Sequence, residues 1–301
     1  IGLRPIDLHL SSLRLMGAQI ETEGGVLSCR CPDGLRGEKI TLSFPSVGAT
    51  ENILIAAASA DGETVILNAA REPEIADLAD FLCSCGAHIS GADSGEIKVC
   101  GMKKLHSAEH TVIPDRIIAS TYMAAAAVTG GDVRILDTRA EHITPVIPVF
   151  EQAGCKVDCG ENSVHISAPV RLRSVQTVRT MPYPGFPTDS QAAVMAMLSV
   201  AHGTSVMIEN IFENRYRHVR ELCRLGADIM TEGKVAVIKG VETLTGACVC
   251  AADLRAGTAL AVAGLAAQGS TTIENVCLID RGWQDMEEKL RSLGADIRRE
   301  S

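Results

Sequence analysis

Apolar and polar positions along the 301 residues follow one pattern that returns about every seventy residues. An Ala-rich run comes first, apolar on nearly every side, as in SVGATENILIAAASA, PDRIIASTYMAAAAV and DLRAGTALAVAGLAA. A glycine and a β-branched strand ending at Asn or Asp come next: DGETVILN, GGDVRILD, HGTSVMIEN and QGSTTIEN. A more polar segment such as EPEIADLADFLCSC then closes on a phrase of the form Gly-Ala-x-Ile, and short alternating strands such as GEIKVCG and GKVAVIKG complete the unit. The all-round apolar runs predict helices buried in the middle of a domain with strands outside them, and the polar segment predicts a helix nearer the surface. An α/β architecture made of copied units follows.

The closing glycines are Gly17, Gly86, Gly154, Gly226 and Gly294, spaced 69, 68, 72 and 68 residues apart. Each is expected at the C′ position after a helix, where φ is positive. Five closing glycines stand beside only four Ala-rich helices, and the sequence opens at Ile1 partway through a unit. The count suggests a fragment of a six-unit protein. Three copies take 45, 45 and 43 residues from the closing glycine to the glycine after the next Ala-rich helix, whereas Gly154 to Gly203 takes 49. The surplus falls at VRTMPYPGFPTD, and insertions in repeat proteins gather on the binding face.

That surplus delivers Asp189 to the start of an Ala-rich helix. Ser46, Asp115 and Asp253 each lie 16 residues before their unit's glycine and fit the N-cap role. Asp189 lies 14 before Gly203, so the cap register falls on Pro187, and the aspartate stays open between cap and functional carboxylate. Arg215 in FENRYRHVREL, Arg255 in ADLRAG and Arg281 in IDRGW carry the planar group that suits phosphate and carboxylate; the last two read as lying near helix starts.

Composition narrows the classes. Apolar residues make 46% and charged residues 22% of a chain with net charge −9, which argues against nucleic-acid and anionic-membrane surfaces. An anionic substrate would need arginines gathered locally. No GxGxxG or GxxxxGK[ST] phosphate loop occurs, and the eight histidines show no HExxH, so no nucleotide cofactor or metal is expected. The eleven cysteines form no CxxC pair and read as buried thiols of a cytoplasmic protein.

The phrases RPIDLHL, FPSVGATEN, NAAREPEIADLADFL, PDRI, FPTDSQA, FENRYRHVREL, DLRAGTAL and IDRGW, in this order, resemble those of the UDP-N-acetylglucosamine 1-carboxyvinyltransferases, the enolpyruvyl transferases of peptidoglycan precursor synthesis. The resemblance runs the length of the chain. It implies an inside-out α/β barrel of two domains, 1–113 with two units and a remnant, and 114–301 with three units, the substrates closing a cleft. It implies attack of a sugar 3-hydroxyl on C2 of phosphoenolpyruvate, with Asp189 taking the proton and phosphate leaving. Arg255 and Arg281, supported by Arg215, would hold phosphoenolpyruvate. Arg4, Pro5, Ile6, Asp7 and Leu8, with Ser46, Val47, Gly48, Asp189 and Ile211, match contacts to the UDP-sugar; read alone, RPIDL is a loop. The family's general-acid cysteine and an essential lysine would precede Ile1, so the 301 residues alone are expected not to turn over. A non-catalytic UDP-sugar binder and a 3-phosphoshikimate enzyme are the alternatives.

Overall fold

The computed structural model describes residues 6–102 and 104–300. The chain divides into two compact units, Ile1–Ile113 with Pro182–Pro184, and Pro114–Met181 with Gly185–Ser301. Part of the Pro-rich insertion thus belongs to the first unit, where the Tyr183 N–H donates to Glu72 Oε1 at 3.3 Å.

The first unit opens with α1 (Asp7–Leu15) and the hairpin β1 (Gln19–Glu23) and β2 (Val26–Arg30). A complete repeat follows: β3 (Lys39–Thr41), α2 (Val47–Ala57), β4 (Glu63–Leu67), α3 (Pro73–Ser84), β5 (His88–Ser90) and β6 (Glu96–Cys100). Where two units and a remnant were expected, the described residues hold one complete repeat and the helix–hairpin half of another, because α1 and its hairpin have no Ala-rich helix of their own. RPIDL is not all loop: helix α1 begins at Asp7.

The second unit holds three copies. The first is α4 (Arg116–Val128), β7 (Asp132–Leu136), the short helices α5 (Ala140–Ile143) and α6 (Ile147–Gln152), β8 (Lys156–Cys159) and β9 (Ser163–Ser167). The next is β10 (Thr177–Arg179), a 3-10 turn (Thr188–Ser190), α7 (Gln191–Leu198), β11 (Thr204–Ile208), α8 (Val219–Arg224), β12 (Asp228–Glu232) and β13 (Val235–Lys239). The last is β14 (Leu244–Thr245), β15 (Cys248–Cys250), α9 (Leu254–Ala266), β16 (Ala267–Gln268), β17 (Thr272–Glu274), α10 (Cys277–Asp280) and α11 (Met286–Ser292). Sheet topology repeats with the sequence. Orders β3-β4-β6-β5 and β10-β11-β13-β12 share a parallel first pair and antiparallel remainder. The sheet β7-β9-β8 repeats the antiparallel part, and β15 with β17 repeats the parallel pair.

In the second unit the Ala-rich helices α4, α7 and α9 contact one another, and every residue of α7 is buried. Alanine has no side-chain bulk to separate backbones, so these helices pack closely and the strands clothe them. In the first unit the expectation of an all-round buried helix fails. Helix α2 packs against α1 and α3 on one side, while Ile55 is 54% exposed, because no second Ala-rich helix lies among the described residues of that unit. The cysteine reading also needs correction: only Cys85 and Cys155 are buried, and most of the others sit on outer faces of short strands and helix ends. No described helix is long and apolar enough to cross a membrane.

All five closing glycines are left-handed, with φ between +93° and +104°. At Gly226 an added Cβ would meet nothing nearer than the Thr245 nitrogen at 4.0 Å, so a substitution there tests backbone conformation alone. Gly226→Ala is expected to destabilise the second unit by about 1–2 kcal/mol and lower Tm by several degrees in a thermal melt. An unchanged Tm would show that the glycine is not required.

Candidate active site

Helices α4 and α9 begin as their sequences predict. The Asp115 carboxylate accepts from the Ile117 and Ile118 N–H groups at 2.7 and 3.1 Å, and Asp253 accepts from Ala256 N–H at 2.8 Å. Helix α7 begins differently. Pro187 precedes the 3-10 turn, and no side chain caps either the turn or the helix. Asp189 lies inside that turn and faces two cations instead. Arg215 Nη2 donates to Oδ1, and Arg255 Nη2 donates to Oδ2 at 3.0 Å. The surplus residues therefore move the aspartate off the cap position and into an ion-pair cluster.

Neighbours fix this cluster from several sides. The Ser120 and Ser190 hydroxyls are 2.7 Å apart and buried, tying the start of α4 to the turn before α7. Arg215 also donates to the Thr188 carbonyl at 3.4 Å and lies over the Phe212 ring, 5.2 Å from its centroid, while its Nε is buried without a partner. Arg255 is the second residue of α9, so the helix start places its guanidinium. Burial alone would raise the Asp189 carboxyl, but Arg255 and Arg215 outweigh it and hold the group below the usual carboxylate range. The side chains of Asp189, Arg215 and Arg255 are 40%, 17% and 20% exposed, so an incoming anion can reach them.

Arg281 departs from its expected place. It is the residue that ends α10, not one that begins a helix, because Asn275 turns the chain left-handed and α10 is only four residues long. Its side chain is exposed and makes no hydrogen bond or ion pair to Asp189. The turn carrying it is anchored by Trp283, 4% exposed, whose ring meets Tyr122 edge-on at 5.3 Å. His218, in the same phrase as Arg215, is a core residue. Burial, helped by the Arg215 charge and opposed by Asp253, pushes it down to about 4, and its Nε2 lies 3.3 Å from Met195 Sδ.

The other matched positions lie in the first unit, apart from Ile211. Arg4 and Pro5 lie outside the described residues. Ile6, Asp7 and Leu8 open α1, with Ile6 41% exposed. Ser46 caps α2 by accepting from Ala49 N–H at 3.4 Å, and Val47 and Gly48 form its first turn, where free N–H groups favour an anion. An added Cβ at Gly48 would come within 3.2 Å of the His9 ring, so α1 closes on the start of α2 and brings these two groups together. In the second unit, Ile211 N–H is held by Glu209 Oε1 at 2.8 Å.

Known proteins similar to this chain are numerous. The profile of the EPSP synthase family (3-phosphoshikimate 1-carboxyvinyltransferase) matches residues 1–290. A UDP-N-acetylglucosamine 1-carboxyvinyltransferase 2 from Caldanaerobacter subterraneus is 50% identical over 297 residues, covering 99% of this chain and 71% of the relative. A UDP-N-acetylglucosamine 1-carboxyvinyltransferase from Finegoldia magna is 49% identical over 301 residues, covering 99% and 71%. The chain belongs to the UDP-N-acetylglucosamine 1-carboxyvinyltransferases. Among solved structures, the enolpyruvyl transferase NikO from Streptomyces tendae superposes with a TM-score of 0.89 at 26% identity, over 98% of this chain and 72% of that one. EPSP synthase from Acinetobacter baumannii shares the fold, with a TM-score of 0.75 at 24% identity.

Within this carboxyvinyltransferase, sequence reading missed Glu209. Its one signal was a strand phrase, MIEN, that places Glu where the other copies have Asn or Asp.

Two predictions follow from the cluster. Asp189→Asn removes the internal anion from Arg215 and Arg255, so inorganic phosphate should bind about ten-fold more tightly by calorimetry, the scale of one charge-assisted bond; unchanged affinity would show that the carboxylate does not compete. His218 refuses a proton that the unfolded chain accepts, so its contribution to stability is present above pH 6.5 and lost as pH falls towards about 4. Denaturant melts of His218→Gln should show a shallower acid slope across that window, and an unaltered slope would refute it.

Proposed function

We propose that Asp189, Arg215, Arg255 and Arg281 serve the transfer of an enolpyruvyl group from phosphoenolpyruvate to the 3-hydroxyl of UDP-N-acetylglucosamine, with release of phosphate. This is the first committed step of peptidoglycan precursor synthesis, and we place it in the cytoplasm. The observation that carries the reading is an ionised aspartate held by two arginines in the turn that breaks the repeat. The roughly 50% identity to UDP-N-acetylglucosamine enzymes, against 24% to a solved EPSP synthase, favours the UDP-sugar over shikimate 3-phosphate as acceptor.

On this reading Asp189 accepts the hydroxyl proton as the sugar oxygen bonds to C2 of phosphoenolpyruvate. The C2–C3 double bond becomes single and C3 takes up a proton, giving a tetrahedral ketal. Loss of the C2 phosphate, with a proton leaving C3, restores the double bond in the product. A carboxylate shared by two guanidinium groups is a weak base. Phosphoenolpyruvate supplies its own carboxylate and phosphate, and as Arg215 and Arg255 turn to those anions Asp189 loses its counter-charges and becomes more basic. Arg281, unpaired with Asp189, completes the anion clamp. Ile6–Leu8, Ser46–Gly48 and Ile211 hold the UDP-sugar, the α2 start taking the diphosphate.

The test is phosphate release from phosphoenolpyruvate by protein expressed from its complete reading frame. Release should require UDP-N-acetylglucosamine and fall about 10²–10⁴-fold in Asp189→Asn, the range general-base catalysis contributes. Binding of the UDP-sugar without phosphate release would favour a non-catalytic binder, and release with shikimate 3-phosphate instead would change the acceptor.

A further inference from the structure

The four strand phrases provide an internal control. Asn68, Asp137, Glu209 and Asn275 keep the same spacing from the glycine before their strands, and each directly follows its strand: β4, β7, β11 or β17. Asn68, Asp137 and Asn275 are exposed and left-handed, with φ of 55°, 50° and 59°, a conformation that Asn and Asp tolerate best among residues with a side chain. Glu209 alone abandons that conformation and is 1% exposed. Only the copy with the surplus residues makes this exchange.

What the buried carboxylate touches explains it. Oε1 accepts from the Thr180 hydroxyl at 2.9 Å and from the Ile211 and Phe212 N–H groups at 2.8 and 3.1 Å. Oε2 accepts from the Thr188 hydroxyl at 2.9 Å. Thr180 and Thr188 bracket the inserted segment, which is further pinned by Met181 N–H donating to the Phe186 carbonyl at 3.0 Å. Thr188 immediately precedes Asp189 and offers its carbonyl to Arg215. Ile211 and Phe212 begin the stretch leading to Arg215, whose guanidinium lies on the Phe212 ring. One side chain therefore ties together the segment that presents the aspartate and the segment that presents the arginine.

We propose that Glu209 is a positioning residue that holds Asp189 and Arg215 in a single frame, acting through Thr188 on one side and the Ile211–Phe212 backbone on the other. The proposal rests on the reading of Asp189 as the base. A frame of this kind acts on the alignment of base and hydroxyl, where misplacement by about 1 Å costs on the order of a hundred-fold in rate. It should therefore be felt mainly in kcat.

The variants separate position from charge and from folding. Thr188→Val cuts only the tie beside Asp189. Glu209→Gln keeps a carbonyl oxygen for Thr180, Ile211 and Phe212 and turns an NH2 towards the Thr188 hydroxyl, which then accepts. Glu209→Ala removes every tie. In phosphate-release assays on protein from the complete reading frame, kcat should fall about ten-fold in Thr188→Val and about a hundred-fold in Glu209→Ala, with KM for phosphoenolpyruvate nearly unchanged in Thr188→Val. Glu209→Gln should stay within about three-fold of the parent, because its ties survive. Parental kcat in a folded Thr188→Val protein, or a Gln variant as damaged as the Ala variant, would overturn the proposal. Asp189→Asn runs alongside. If it is inactive while the Glu209 and Thr188 variants match the parent, only the positioning role falls. If it retains parental turnover, the base assignment falls and takes the proposal with it.

Discussion

The contact among α4, α7 and α9 is the constraint on which the second unit depends. Long side chains on their facing surfaces would drive the helices apart and scatter their starts. With small residues (Ala, Ser, Thr or Gly) at most buried positions of α4 and α9, the backbones come close enough for the Ser120 and Ser190 hydroxyls to bond across the gap. Neighbouring starts then do two jobs. At α4 and α9 the acidic residue is consumed in satisfying its own helix. At α7 the register is displaced, Pro187 holds the cap position with no side chain capping the turn, and the carboxylate is left to meet cations brought by α9 and by the segment before α8.

Much of this was legible in the sequence, because periodicity and glycine spacing report on local geometry. The Ala-rich runs became helices, the closing glycines became left-handed, and Ser46, Asp115 and Asp253 became caps. The short register set Asp189 apart from the capping residues without deciding its role, and the fold shows that it does not cap. Arg255 was read as lying near a helix start and Arg215 as a guanidinium suited to anions, its supporting role entering through the family resemblance, but their meeting at Asp189 needed the fold to become a distance.

What stayed hidden depends on contacts distant in sequence. Glu209 resembles any polar residue at a strand end until Thr180 and Thr188, 29 and 21 residues away, are seen to converge on it. Arg281 was read as lying near a helix start, yet the helix beside it is only four residues long and ends at it. The cysteines were read from the general preference of thiols for interiors, which strands with a solvent-facing side override. Helix α2 shows the same limit from the apolar side: its composition does not say how many neighbours are present to cover it, and Ile55 is left facing water.

Building cores from small aliphatic residues also leaves the chain nearly silent to ultraviolet light. Five phenylalanines, three tyrosines and one tryptophan are all of its near-ultraviolet chromophores. The lone indole, Trp283, is buried edge-on against Tyr122 and stands two residues beyond Arg281. Tryptophan emission from these 301 residues therefore comes from one place, the anchor of the turn that presents Arg281. Any ligand that pulls on that turn writes its arrival into the colour and lifetime of a single fluorophore, without a label being added.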